Sequence, residues 1–204
     1  MVAPLFRLCL LLSRELCAGN PAQILKDAIA GGVDCVQLRE KDALPNEFAI
    51  WAAKVKNLTD DLDVPLIVND SVEVALAVGA TGVHVGQEDL HPWDVRKLVG
   101  DQVWVGWSTH SLEQLDEAAE VGADYAGFGP VFASPTKGYT RGLGAEHLAA
   151  GLAIARVPLV AIGGIHSENV WMIPEQAGVA VSSALCEAVD PAAMATALLQ
   201  RGKA

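Results

Sequence analysis

Short apolar runs recur along the chain, separated by longer stretches whose apolar positions fall three or four residues apart. The runs at residues 8–12, 65–68, 103–106 and 158–162 read as short strands. Four more follow a small-residue step in the similar segments 31–37, 79–85, 122–128 and 177–181. Between them, residues 22–30, 47–58, 112–120 and 192–199 carry helical spacing. Asn20 before Pro21, and Ser111 with Gln114 three residues on, mark helix starts. Eight strand-and-helix alternations in about 200 residues predict an α/β fold, a single (β/α)8 TIM barrel over residues 1–204. A doubly wound open sheet is the alternative, but it does not require a repeat running to both ends of the chain.

The chain has 204 residues, 51% hydrophobic and 19% charged, which suits one core. Its formal charge of −11 argues against nonspecific nucleic-acid binding, which rests on Lys and Arg neutralising phosphates. The same charge disfavours an anionic membrane surface. The apolar run at 8–12 is shorter than the core of a secretion signal and ends abruptly at Ser13-Arg14-Glu15. No run approaches the roughly 18 apolar residues of a membrane span, so a cytoplasmic protein is expected. Cys9, Cys17, Cys35 and Cys186 lack C-x-x-C spacing, and Cys35 lies in an apolar stretch; buried thiols in a reducing compartment are expected. A homo-oligomer is compatible with all of this.

In a barrel of this kind functional groups stand at and just after the carboxyl ends of strands. The sequence puts polar groups there: Gln37 to Lys41, Asn69-Asp70, Gly86 to Asp89, Ser108-Thr109-His110, Gly129 to Lys137, Gly163-Gly164 and Ser182-Ser183. Gly163-Gly164 either makes a tight turn or, with Ser182 and Ser183, cradles a phosphate at a helix start. Arg39, Lys41 and Lys137 are three cations expected at one mouth, with Arg39 and Lys41 sharing strand parity. Asp70 and Asp89 suit a hard dication such as Mg2+ that shares substrate phosphate oxygens, or else form salt bridges with Arg39 and Lys41. His84 reads as a packed, hydrogen-bonded core residue. His110 is open between acid–base chemistry and capping. His91, His147 and His166 read as loop or helix-surface residues. Trp107 and Phe132 either wall a ligand or pack in the core.

Taken in order, these motifs closely resemble the thiamine-phosphate synthase family over residues 8–200, carried by Gln37 to Lys41, Asn69-Asp70, Gly86 to Asp89, Gly106 to His110, Gly129 to Lys137 and Ala161 to Ile165. The resemblance implies a transferase of thiamine biosynthesis that joins a hydroxymethylpyrimidine diphosphate to thiazole phosphate or its carboxylate, releasing pyrophosphate. It implies Mg2+ on Asp70 and Asp89, and a pyrimidine diphosphate on Gln37, Leu38, Arg39, Glu40, Lys41, Asn69, Ser108 and Lys137. The thiazole phosphate then falls to Ser134, Pro135, Thr136, Gly164, Ser182 and Ser183, and catalysis to Arg39, Lys41, Ser108 and Lys137. The partners implied are small phosphorylated molecules. Three places depart from the family pattern: Gly138-Tyr139-Thr140 after Lys137, a shortened stretch from Asn169 to Ser183, and Leu12-Ser13-Arg14 after the first strand. A thiazole tautomerase using His110, or a silent thiamine-phosphate binding barrel, are the competing readings.

Overall fold

The computed structural model describes residues 6–134 and 140–201. Eight strands, all parallel, close in sequence order: β1 (Leu8–Leu12), β2 (Cys35–Leu38), β3 (Leu66–Asn69), β4 (Gly82–Val85), β5 (Trp104–Thr109), β6 (Tyr125–Phe128), β7 (Leu159–Ile162) and β8 (Gly178–Val181). β8 bonds back to β1 through the register Cys9 with Ala180, so the fold is the expected TIM barrel. Strands buried on both faces explain the near-continuous apolar runs in the sequence. The outward residues Leu10, Val36, Val68, Val83 and Phe128 pack beneath the helices. The inward residues Cys9, Leu11, Cys35, Ile67, Tyr125 and Val160 fill the barrel with Phe6.

The helices are α1 (Pro21–Ala30), α2 (Pro45–Asp61), α3 (Val72–Val78), α4 (Pro92–Val99), α5 (Leu112–Glu117), α6 (Ala145–Ile154), α7 (Ser183–Cys186) and α8 (Pro191–Leu199). Their starts follow local chemistry. The Asn20 side chain accepts from the Ala22 and Gln23 amides with Pro21 at the first helical position. Ser111 accepts from the Gln114 amide, while the Gln114 side chain accepts in return from the His110 amide. α5 ends at Glu117, three residues short of its expected end.

The unit after β7 departs from regular alternation. Among the described residues, the β7–β8 connection holds only a single 3-10 turn, Val170–Met172, in place of an α-helix. Asn169 folds this loop back on itself by donating to the Gly164 carbonyl at 2.8 Å and accepting from the His166 amide at 2.9 Å. Pro174, two residues beyond the turn, has no N–H and disfavours helical geometry at Ile173, so the turn does not propagate. The shortened stretch from Asn169 is thus a connection that lacks its helix.

α1 and α8 pack closely where Gly31 ends α1. A Cβ there would overlap the Ala192 carbonyl oxygen and lie 2.7 Å from the Ala192 Cα, and Thr196 donates to the Gly31 carbonyl at 3.2 Å. The obstacle is backbone, which cannot rotate away. Gly31→Ala is therefore expected to destabilise the fold by about 1–3 kcal/mol, read as a lowered urea midpoint with an unchanged slope.

Candidate active site

Closure of a parallel barrel brings the loops that follow the eight strands to one end, and the described residues among the polar groups singled out in the sequence emerge there. β2 ends at Leu38, so strand parity does not extend to Arg39 and Lys41; both stand in the loop, Arg39 half-buried and Lys41 exposed. Arg39 is fixed by its amide, which donates to the Leu12 carbonyl at 2.9 Å. Gln37 is buried inside the barrel. The Leu38 side chain belongs to the outer core, so only its backbone faces the loop.

Glu40 is occupied within the protein. One carboxylate oxygen accepts from the Arg14 amide at 3.0 Å and the other from Arg14 Nε at 3.1 Å. Arg14 in turn lies 5.6 Å over the Trp51 ring. The unusual Leu12-Ser13-Arg14 ending of β1 therefore provides a brace that holds the β2 loop.

After β3, Asn69 is half-buried and Asp70 is exposed with φ of +65°, a left-handed conformation that Asp tolerates better than most residues. The Asp70 amide donates to the His84 carbonyl at 2.8 Å, which ties this turn to β4. After β4, Asp89 is exposed and one of its oxygens accepts from the Gly86 amide at 2.7 Å. Asp70 and Asp89 thus stand on neighbouring strand-end turns. Among the described residues, no three His, Cys, Asp or Glu side chains gather into a ready-made metal cage.

Ser108 lies near the end of β5 and His110 just follows it. Ser108 Oγ lies 2.9 Å from His84 Nε2, and His84 Nδ1 lies 2.9 Å from the Tyr125 hydroxyl. His84 is the packed, hydrogen-bonded residue expected, but its partner at one end is a site residue. His110 neither caps α5 with its ring nor stands loose: its Nδ1 donates to the Gly129 carbonyl at 2.6 Å, linking the β5 and β6 loops. His91 and His166 accept from nearby backbone amides through Nδ1, and the His147 ring stacks over Phe128. Trp107 is buried in the outer core and Phe132 packs against the same core.

The β6 and β7 loops interlock. The Val131 and Phe132 amides donate to the Ile162 and Gly163 carbonyls at 2.8 and 3.0 Å. Gly163 and Gly164 have φ of +97° and +64°; a Cβ on Gly164 would overlap the Ala133 carbonyl oxygen and lie 2.9 Å from Phe132 Cβ. Both glycines are thus required by conformation and by close approach, whatever else they do. Ser134 is buried beside them, whereas Pro135, Thr136 and Lys137 lie outside the described residues. Ser182 donates to the Leu11 carbonyl at 2.9 Å, and half-buried Ser183 opens α7.

Sequence reasoning missed Tyr125. Burial pushes its hydroxyl far above its usual range, so it remains a protonated donor. Its signal was indirect: Gly106 and Gly127 on β5 and β6 clear space, since a Cβ at Gly106 would overlap the Tyr125 ring and His84. Cys9, Cys35 and Cys186 are buried as expected, and Cys17 is half-buried. All four are free, and burial raises the pKa of Cys35. A cleft of about 430 Å3 lies beside α1 and the start of α8, lined by Asn20, Asp27, Glu187 and Pro191 among others. Among the described residues, no helix is long and apolar enough to cross a membrane.

The chain and its fold are similar to known proteins. The family profile described as thiamine monophosphate synthase matches residues 8–185. The thiamine-phosphate synthase of Albidiferax ferrireducens is 43% identical over 195 residues, covering 93% of this chain and 89% of that one. That of Ruminiclostridium cellulolyticum is 42% identical over 180 residues, with 87% and 86% covered. Among solved structures, the thiamine phosphate pyrophosphorylase of Pyrococcus furiosus superposes with a TM-score of 0.86 at 31% identity, covering 95% of this chain and 93% of that one. With the profile spanning most of the chain and relatives this similar over nearly its whole length, the chain belongs to the thiamine monophosphate synthase family.

Proposed function

We propose that this family member is a transferase joining a hydroxymethylpyrimidine diphosphate to thiazole phosphate, or its carboxylate, to form thiamine phosphate and pyrophosphate. The observation that carries the reading is the convergence of Gln37 to Lys41, Asn69-Asp70, Gly86 to Asp89 and Ser108 at one rim of a closed barrel. In the reaction the bond between the pyrimidine methylene carbon and its oxygen breaks, and the electron pair leaves with pyrophosphate. The electron-rich aminopyrimidine delocalises the resulting cation. The thiazole nitrogen then supplies the pair that forms the new carbon–nitrogen bond. No side-chain nucleophile takes part, which accords with thiols that are buried or half-buried and a His110 committed to Gly129.

The work left to the protein is electrostatic: cations aimed at charge that develops on the leaving group. Arg39, Lys41 and Lys137 have that task, and Ser108 and Asn69 position the diphosphate. Gln37 and the Leu38 backbone line the pyrimidine end, while Glu40 holds the loop through Arg14. Asp70 and Asp89 fit Mg2+, which takes one or two carboxylates and completes its shell with phosphate oxygens and water. When bound there, the ion supplies charge neutralisation for the departing pyrophosphate. Gly164, Ser182, Ser183, Ser134, Pro135 and Thr136 hold the thiazole phosphate, and anchoring that remote group sets the nitrogen in line with the methylene carbon.

Purified protein is expected to release pyrophosphate only with both substrates and Mg2+ present; release without the thiazole phosphate or without Mg2+ would overturn the reading. Asp89→Ala is expected to cut turnover at least about 100-fold with an unchanged circular dichroism spectrum. Lys137→Ala is expected to lower kcat by about 100-fold while the KM for thiazole phosphate changes less than about threefold, measured by steady-state kinetics.

A further inference from the structure

Beneath the mouth, four polar side chains from four different strands meet inside the barrel. Tyr125 on β6 contacts His84 on β4 at 2.9 Å, and His84 contacts Ser108 on β5 at 2.9 Å. Gln37 on β2 lines the same small cavity as Tyr125, His84 and Ser108. Gln37, His84 and Tyr125 are buried and Ser108 half-buried, so the chain runs from the interior to the site. The cavity they share measures about 20 Å3, room for one water and too small for any substrate. These groups are therefore not a second binding pocket, and a buried polar cluster of this kind needs another reason to be there.

Donor counting orients the chain. The Tyr125 hydroxyl keeps its hydrogen, and where it donates that hydrogen to His84 Nδ1 the ring hydrogen sits on Nε2. That hydrogen points at Ser108 Oγ and occupies a lone pair. The hydrogen of the Ser108 hydroxyl then points away from His84.

We infer that His84 and Tyr125 are positioning residues, which lock Ser108 as an outward hydrogen-bond donor for an acceptor-rich ligand, the diphosphate of the pyrimidine substrate. The inference rests on the proposed function and adds a directional element to it. Removing the Tyr125 hydroxyl removes the donor that favours the ring hydrogen on Nε2, so Nε2 can act as an acceptor that draws the serine hydrogen inward. Tyr125→Phe makes this change with almost no change of volume. A purely structural role would lower stability without selecting between substrates.

The test is calorimetric binding of the pyrimidine diphosphate with Mg2+, together with steady-state kinetics. Tyr125→Phe is expected to weaken binding of the pyrimidine diphosphate about tenfold while the KM for thiazole phosphate stays within about twofold. In a Ser108→Ala background the same substitution is expected to matter less than about twofold, because its effect passes through that hydroxyl. His84→Gln keeps a side-chain N–H for Ser108 and is expected to retain more of the affinity than His84→Leu. Unaltered binding by Tyr125→Phe, or an equal loss with and without Ser108, would overturn the inference alone. Failure of the unsubstituted chain to bind the pyrimidine diphosphate would overturn the proposed function, and the inference with it.

Discussion

Because all eight strands run parallel and β1 bonds to β8, the barrel has no free edge and every strand points its carboxyl end at the same rim. Each other feature depends on that closure. Strands short enough to close, four to six residues each, must be apolar on both faces, since one face meets the helices and the other the barrel interior. Polar residues are then displaced to the strand ends, where the loops carry Arg39, Asp70, Asp89 and Ser108 to a shared opening.

The interior is not uniformly apolar, and the exception is spatially organised. Gly106 and Gly127 give up side chains on adjacent strands so that the rings of His84 and Tyr125 fit between them. A buried polar group without a partner costs free energy, whereas a connected series of partners is tolerated and becomes rigid. The series formed here ends at Ser108, so the rigidity of the interior is transmitted to the rim. The loops above are braced in the same manner by side-chain bonds across strands: Arg14 to Glu40, Gln87 to the Ser108 carbonyl, and His110 to the Gly129 carbonyl.

The excess of acid is carried largely away from these braces. Lys56 with Asp60, Lys97 with Asp94, and Arg156 with Asp116 and Glu120 pair along the helical exterior. Exposed pairs of this type contribute little to stability. At the amino-terminal side of the barrel, Arg96 serves differently: its guanidinium donates to the Gly100, Val103 and Gly122 carbonyls as well as to Asp124. A net charge of −11 therefore coexists with Arg39 and Lys41 beside the opening, and overall charge says little about the local field an anionic substrate meets.

Strand positions, helix starts at Asn20 and Ser111, the closed-barrel class and the clustering of polar groups after strands were all legible from the chain alone, because each follows from local periodicity or capping within a few residues. The missing helix after β7 was visible only as a shortened stretch from Asn169; its cause is Asn169 reaching back to Gly164 while Pro174 stops the turn, a matter of loop geometry. The resemblance places Glu40 in the segment that holds the diphosphate, but Arg14, 26 residues earlier, donates to both of its oxygens. Tyr125 read as an ordinary strand residue, and its link through His84 to Ser108 joins positions 41 and 24 residues apart. Periodicity fixes which face of its own strand a side chain occupies, but not which side chains from other strands it meets there. Barrel closure and register decide those meetings, and they determine which polar groups hold the site and which are left to act in it.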